Sequence, residues 1–246
     1  MKKPLSVITR RQFNRNLLIT VVGAATLGKF SALWAQSEKP IRIGIIGSGN
    51  IGGAIGRLWA QAGHEILFSS RNPDQLADLV KETGEKTKAG YPQEAAEFGD
   101  VIFIAVPYSA MPQIGKDYGA LMKGKVVIDC SNPSARRDGD MAEVARVKGS
   151  GVATQEFIPE ARVVRAFGTI SFRVALENAH REGPKIAIPI AGDDNDALKV
   201  ASDLVVDAGF DPVIVGGLER SKDFDMGSPA SGANATAEEL RKILKL

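Results

Sequence analysis

Apolar positions in this chain fall into short β-branched runs separated by longer stripes at helical spacing. Ile41, Ile43, Ile45 and Ile46 form the first run, with the composition of a buried parallel strand. Ile55, Leu58, Trp59 and Ala62 follow at the spacing of a helix face. Residues 65–69 predict a second strand, and residues 74–81 a helix with Leu76, Leu79 and Val80 on one side. A short third strand is expected over 86–89 and a short helix over 92–98. The unbroken apolar run from Val101 to Val106 predicts a central strand buried on both faces. A helix carrying Met111, Ile114 and Tyr118 leads to a fifth strand over 125–129.

The second half repeats the rhythm less regularly. Residues 136–150 are polar and read as a surface loop. A helix is expected over 151–158, a strand over 162–167 and a helix over 173–180. The run 185–191 predicts a strand, and Pro189, which lacks an N–H, places it at a sheet edge. Asp193 or Asp194 caps a helix that runs to Ala208 with Ala197, Val200, Ala201, Leu204 and Val205 as its stripe. A last strand covers 211–215. Residues 216–235 are small and polar and read as a mobile loop. Thr236 and Glu239 form a capping-box pattern that opens a final helix to Lys245.

The junction between the first strand and the first helix carries the chemistry. It reads Gly47-Ser48-Gly49-Asn50-Ile51-Gly52, a G-x-G-x-x-G pattern in the strand–turn–helix context that dinucleotide binding requires. Gly47 lets the chain turn off the strand, Gly49 lets a pyrophosphate approach the backbone, and Gly52 lets the helix pack close to the strand. The first-turn N–H groups lack intrahelical partners and favour an anion. With alternating strands and helices, this predicts an α/β fold: a doubly wound parallel sheet of Rossmann type with a small C-terminal α/β lobe. The expected division is a leader over 1–37, a dinucleotide-binding domain over 38–150, and the lobe and tail over 151–246.

Where the second strand ends, an NAD site places an acidic residue for the ribose 2′-hydroxyl. This chain has Ser70 and Arg71 instead. A guanidinium pairs with a 2′-phosphate and a serine hydroxyl donates to it, which favours NADP over NAD. Val106 and Pro107 end the central strand on the side where open α/β sheets bind ligands. Ser131 and Asn132 end the fifth strand, placed to hydrogen-bond a nicotinamide or a substrate. Cys130, the sole cysteine, reads as a small buried apolar residue, since the two histidines, His64 and His180, fall at expected surface loops. With one cysteine, no intrachain disulfide and no cysteine-based metal site can form.

Composition adds limits. The chain has 246 residues, 44% hydrophobic and 24% charged, ordinary for a protein with a sizeable core. Its formal net charge of +2 gives no basis for nucleic-acid binding. The N-terminus is distinct. Lys2, Lys3, Arg10, Arg11 and Arg15 precede an apolar run from Leu17 to Leu27, and no acidic residue occurs before Glu38. This is the layout of an export signal, too short in its apolar part for the ~20 residues of a spanning helix. The stretch Arg10-Arg11-Gln12-Phe13 resembles a twin-arginine signal, although Asn14 replaces the usual Leu. Cleavage after Ala35 and a periplasmic or extracytoplasmic location are expected, with no stable membrane span once the signal is removed; the alternative is a tether formed by an uncleaved leader.

From about Ile41 to Leu218 the chain resembles the NADPH-dependent reductases of the deazaflavin coenzyme F-420 and their bacterial relatives. The residues that carry the likeness are Gly47 to Gly52, Ser70-Arg71, Ala105-Val106-Pro107, Val163-Val164-x-Ala166-Phe167-x-Thr169-Ile170 and Ile190 to Asp194. The resemblance implies NADP as cofactor, Ser70 and Arg71 on the 2′-phosphate, a small-molecule hydride acceptor in the cleft, and a homodimer. Two positions depart from it: Gln75 replaces a further basic residue, and Gly168 replaces a histidine found near the acceptor in archaeal members. The expected activity is hydride transfer between NADPH and a flavin-like or deazaflavin acceptor. The alternatives are reduction of a small imine or carbonyl, as in pyrroline-carboxylate reductases, and a non-catalytic NADP-binding redox sensor.

Overall fold

The computed structural model describes residues 40–246. The expected leader and its twin-arginine motif lie outside the described residues. The first strand, β1 (Arg42–Ile46), leads through the glycine turn into α1 (Asn50–Gln61). Then come β2 (Glu65–Ser69), a 3₁₀ turn over Pro73–Leu76, α2 (Ala77–Thr83), β3 (Thr87–Gly90), α3 (Pro92–Phe98) and β4 (Val101–Ile104). The chain continues through α4 (Met111–Tyr118), β5 (Val126–Asp129), α5 (Ala135–Asp138), α6 (Asp140–Lys148), α7 (Ser150–Phe157) and β6 (Arg162–Arg165). It closes with α8 (Phe172–Asn178), β7 (Ala187–Gly192), α9 (Asn195–Asp207), β8 (Asp211–Gly216) and α10 (Ala237–Leu244).

The strands form one sheet in the order β3-β2-β1-β4-β5-β6-β7-β8. All pairs are parallel except β6–β7, which is antiparallel. The direction of winding reverses between β1 and β4, the switch point where open α/β sheets leave a crevice at the carboxyl ends of their strands. Alternate strand residues serve opposite faces, as the pleat requires. Ile43, Ile45, Phe103, Ile128 and Val164 pack with Ile55, Leu58 and Trp59 of α1 and Leu204 and Val205 of α9. Ile46, Ile102, Ile104, Val127 and Val163 pack with Ala95 and Ala96 of α3, Ile114 of α4 and Ala153 of α7. Trp59 stacks edge-on to Phe103 and Phe167, with centroids 5.0 and 5.7 Å away, and its Nε1 donates to the Leu204 carbonyl at 2.7 Å. Residues 41–246 make one compact unit. Its C-terminal part adds a smaller apolar cluster of Val213, Val215, Phe224, Leu240 and Leu244.

Four local expectations need correction. Pro189 does not mark an edge: β7 lies between β6 and β8, and β8 is the edge strand. On the β6 side only Ala191 and Gly192 are paired, so no β6 residue stands opposite Pro189 and its missing N–H breaks no bond there. The polar stretch 136–150 is largely helical, forming α5 and α6. The inward face of α6 consists of Ala142 and Ala145 while Val144 and Val147 face solvent, which hides the helical stripe. Residues 216–235 are packed, with a 3₁₀ turn over Leu218–Asp223 and with Leu218, Ser221, Phe224, Asp225 and Ala230 buried. His64 is buried as well. Its Nδ1 accepts from the Ile41 N–H at 3.2 Å, and its Nε2 lies 3.0 Å from the Asp207 carboxylate. Asp194 is the residue that caps α9, accepting from the Ala197 N–H at 2.7 Å, and the Thr236–Glu239 capping box forms as expected. Among the described residues no helix is long and apolar enough to cross a membrane.

Candidate functional site

The glycine turn is built as its spacing requires. Gly47 has φ +95°, and a Cβ there would lie 2.6 Å from the Ala105 carbonyl oxygen, so only glycine fits. A Cβ on Gly52 would lie 2.1 Å from the Gly47 carbonyl oxygen, so α1 starts hard against the turn. A Cβ on Gly49 would meet nothing within 4 Å, which leaves an open cradle above the backbone. Gly49 is also the N-cap of α1. That helix has no side-chain cap and no acidic residue in its first turn, so its positive end is unneutralised. The buried Ser48 hydroxyl has no partner among the described residues. An open cradle, uncapped N–H groups and an orphaned hydroxyl together fit a dinucleotide pyrophosphate.

The ribose end follows from sheet pairing. Ile46 stands opposite Ser69, and the Ser48 N–H donates to the Ser69 carbonyl at 3.0 Å, which ties the turn to the end of β2. Ser70 and Arg71 come next. The Ser70 hydroxyl accepts from the Asn72 N–H at 3.1 Å, and Arg71 is exposed.

Next to the turn lies a cleft of 490 Å³. Asn50, Ile51, Val106, Pro107 and Asn132 line it, so the structure brings these expected residues to one place. Cys130 and Ser131 line it too. Burial pushes the Cys130 thiol well above its ordinary range, with the Asp129 carboxylate adding to the effect, so it stays protonated and unreactive. The Ser131 hydroxyl is buried and has no partner among the described residues.

Beneath Asn132 sits a buried charge cluster that sequence reasoning missed. Arg165 is fully buried on β6. Its Nη1 donates to the Asp129 backbone carbonyl at 2.8 Å, and its Nε to Asp225 Oδ1 at 3.3 Å. Its Nη2 donates to Asn132 Oδ1 at 2.6 Å, while Asn132 Nδ2 donates to the Gly168 carbonyl at 2.5 Å. Asp129 accepts from the Ser131 N–H and the Thr154 hydroxyl, both at 2.8 Å. Asp225 accepts from the Ser150 N–H at 2.8 Å and from the Ser150 hydroxyl. Burial alone disfavours the charged guanidinium; Asp129 and Asp225 more than offset this and hold Arg165 protonated. A Cβ on Gly168 would come within 2.7 Å of Arg165 Nη2 and 2.9 Å of Asn132 Oδ1, so glycine belongs with this cluster.

The remaining wall comes from Arg137, Phe167, Ile170, Ser171, Phe172 and Met226. None of these was among the expected site residues. Arg137 and Met226 come from the two stretches whose sequence reads as loop. The available signal was Arg165, a charge preceded and followed by the apolar residues Val163, Val164, Ala166 and Phe167, which requires a buried counter-ion.

Residues 42–133 match the family model described as NADP oxidoreductase, coenzyme F420-dependent. The F420-dependent NADP reductase of Methanothermobacter marburgensis is 32% identical over 208 residues, covering 74% of this chain and 87% of that protein. The chain belongs to the F420-dependent NADP reductase family. NADP is the cofactor of this family of oxidoreductases. The family resemblance extends to the metalloreductase STEAP3 of Rattus norvegicus, 27% identical over 191 residues that cover 76% of this chain and 36% of that protein. The chain thus spans about a third of that relative's length. Among solved structures, a hypothetical protein of Sinorhizobium meliloti superposes with a TM-score of 0.69 at 27% identity, covering 83% of this chain and 98% of the other.

Proposed function

We propose that this protein transfers hydride from NADPH to a flavin-like or deazaflavin acceptor bound in the cleft. The observation that carries this reading is the chemistry of the cleft wall. Its titratable lining groups are Cys130, held protonated by burial, and Arg137. Among the described residues, none that lines the cleft is a carboxylate, histidine or lysine able to exchange a proton near neutral pH. Reduction of a carbonyl to an alcohol needs such a donor. Hydride transfer to a conjugated ring needs the two reactants held roughly 3–3.5 Å apart and aligned, and little else. Bound NADPH supplies the hydride.

The chain supplies orientation. Gly47 to Gly52 hold the pyrophosphate, and Ser70 and Arg71 hold the 2′-phosphate. Val106 and Pro107 support the nicotinamide. Asn132, fixed by Arg165 and Gly168, keeps one N–H and one lone pair free for it, and the Ser131 hydroxyl has both its donor and its acceptors free. Ile170, Phe172 and Met226 give the acceptor an apolar bed and exclude water. The test is stopped-flow mixing of the protein and NADPH with deazaflavin, riboflavin or FMN, following nicotinamide absorbance. Oxidation with at least one ring acceptor is expected. Tight NADPH binding with no oxidation by any of them identifies a sensor instead. We further propose that the leader directs the folded protein out of the cytoplasm.

A further inference from the structure

Among the described residues Arg137 is the one charged side chain lining the cleft, and its setting is unlike that of a surface arginine. Its Nε donates to Asp138 Oδ1 at 3.1 Å and its Nη2 to Asp138 Oδ2 at 2.9 Å, a two-pronged pairing. Nη2 also donates to the Asn132 carbonyl at 2.5 Å. The Asp138 side chain is completely buried and is itself fixed by the Ser109 N–H at 3.0 Å and the Ser134 N–H at 2.8 Å. The carboxylate is therefore pinned to the segments that follow β4 and β5, and it holds the guanidinium in one orientation. Nη1 makes no hydrogen bond to any described residue, and the side chain is 46% exposed. A pre-oriented guanidinium with a free NH₂ group, on an otherwise uncharged wall, is built to receive negative charge.

We propose that Arg137 is a catalytic residue that stabilises the negative charge arriving on the acceptor ring with the hydride. This rests on the reading of the cleft as the site of flavin-like acceptor reduction. When hydride passes to a neutral flavin-like ring, a C–H bond of NADPH breaks and a bond from that hydrogen to the ring forms. NADPH loses two electrons and becomes NADP⁺; the ring gains them and carries one negative charge until it takes a proton from water. No lining side chain can deliver that proton, so the charge persists in the cleft, and the free Nη1 donor of the Asp138-paired guanidinium beside it lowers the barrier. A partly desolvated guanidinium is effective there because the surrounding dielectric is low and no reorganisation is needed.

The test compares wild type, Arg137→Gln and Arg137→Lys as full-length protein with two acceptors that share a ring, riboflavin without a phosphate and FMN with one. Arg137→Gln is expected to lower kcat by about 100-fold with both acceptors and by the same factor, and Arg137→Lys to recover part of the loss. Anaerobic fluorescence and absorbance titrations are expected to show weaker binding of reduced riboflavin to Arg137→Gln, with oxidised riboflavin unchanged within about twofold. Thermal melting and NADPH titration check that the variants are folded. A loss confined to FMN and to KM overturns the proposal, because Arg137 then reads a phosphate rather than the ring. Equal weakening of oxidised and reduced riboflavin, with no rescue by lysine, also overturns it and leaves Arg137 a structural partner of Asp138. A wild-type protein that binds NADPH but reduces neither flavin nor deazaflavin overturns the functional reading itself; that failure shows in the wild type before any variant is compared.

Discussion

Arg165 Nη2 donates to Asn132 Oδ1 at 2.6 Å, and this bond joins a buried charge cluster to the wall of the cleft. The guanidinium draws together two stretches far apart in sequence: the end of β5, with Asp129 and Asn132, and Asp225 near the C-terminus. Replacing Arg165 with Leu leaves two buried carboxylates without their cation. Breaking a buried ion pair by removing one partner costs about 3–5 kcal/mol. The expected result is an unfolding free energy from urea denaturation lowered by that much, and with it the midpoint, with the loss of NADPH affinity following from a released Asn132. A midpoint unchanged from wild type means that the cluster does not hold the fold.

The glycines of the turn separate two roles. Gly52→Ala drives a Cβ into the Gly47 carbonyl oxygen, so α1 must shift, and overpacking of this kind costs about 1–3 kcal/mol. Gly49→Ala meets open space and is expected to leave stability within about 1 kcal/mol of wild type while weakening NADPH, whose pyrophosphate needs that space. Thermal melts with and without NADPH distinguish the two. Equal losses of stability in both variants contradict the assignment.

Asp138 gives a pH-dependent signature. Burial opposes its charged form, but the Arg137 guanidinium and the Ser134 and Ser109 N–H groups outweigh that and hold its carboxyl well below the usual range. A depressed folded-state pKa contributes stability above the unfolded value, at about pH 4, and that contribution is lost as pH falls through the folded value. Asp138→Asn is therefore expected to melt below wild type at pH 7, with the gap narrowing as pH falls below about 4. A gap that stays constant to pH 2 rules out a charged Asp138 as its source.

How much of this was legible in the sequence follows from how local each feature is. The Gly47–Gly52 turn and the Asp194 and Thr236 caps each depend on a few neighbouring residues, and their patterns were readable. The helix α6 was not, because its inward face is two alanines and its valines face water. The place of β7 inside the sheet depends on how far β6 extends beside it, which no pattern in β7 records. The cluster of Asp129, Asp225 and Arg165 comes from positions tens of residues apart with no shared period. Its trace in the sequence was Arg165, set between Val164 and Ala166, which demands a partner but does not say which.

The leader is testable apart from the fold. If the paired arginines direct export of a folded protein, Arg10→Lys with Arg11→Lys retains the protein in the cytoplasm, whereas wild type appears in the extracytoplasmic fraction at a smaller mass. Fractionation with immunoblotting reads this directly. Wild-type protein of full length in the cytoplasm alone contradicts export.

Calorimetric titration of the purified protein with NADPH and NADH tests the central claim. Arg71 stands exposed beyond β2, where a cofactor bound along the glycine turn presents its 2′-phosphate. Tighter binding of NADPH than NADH is expected, with Arg71→Ala weakening NADPH by about 1.5–3 kcal/mol, the worth of a charged hydrogen bond, and leaving NADH nearly unchanged. No heat with either nucleotide contradicts the account.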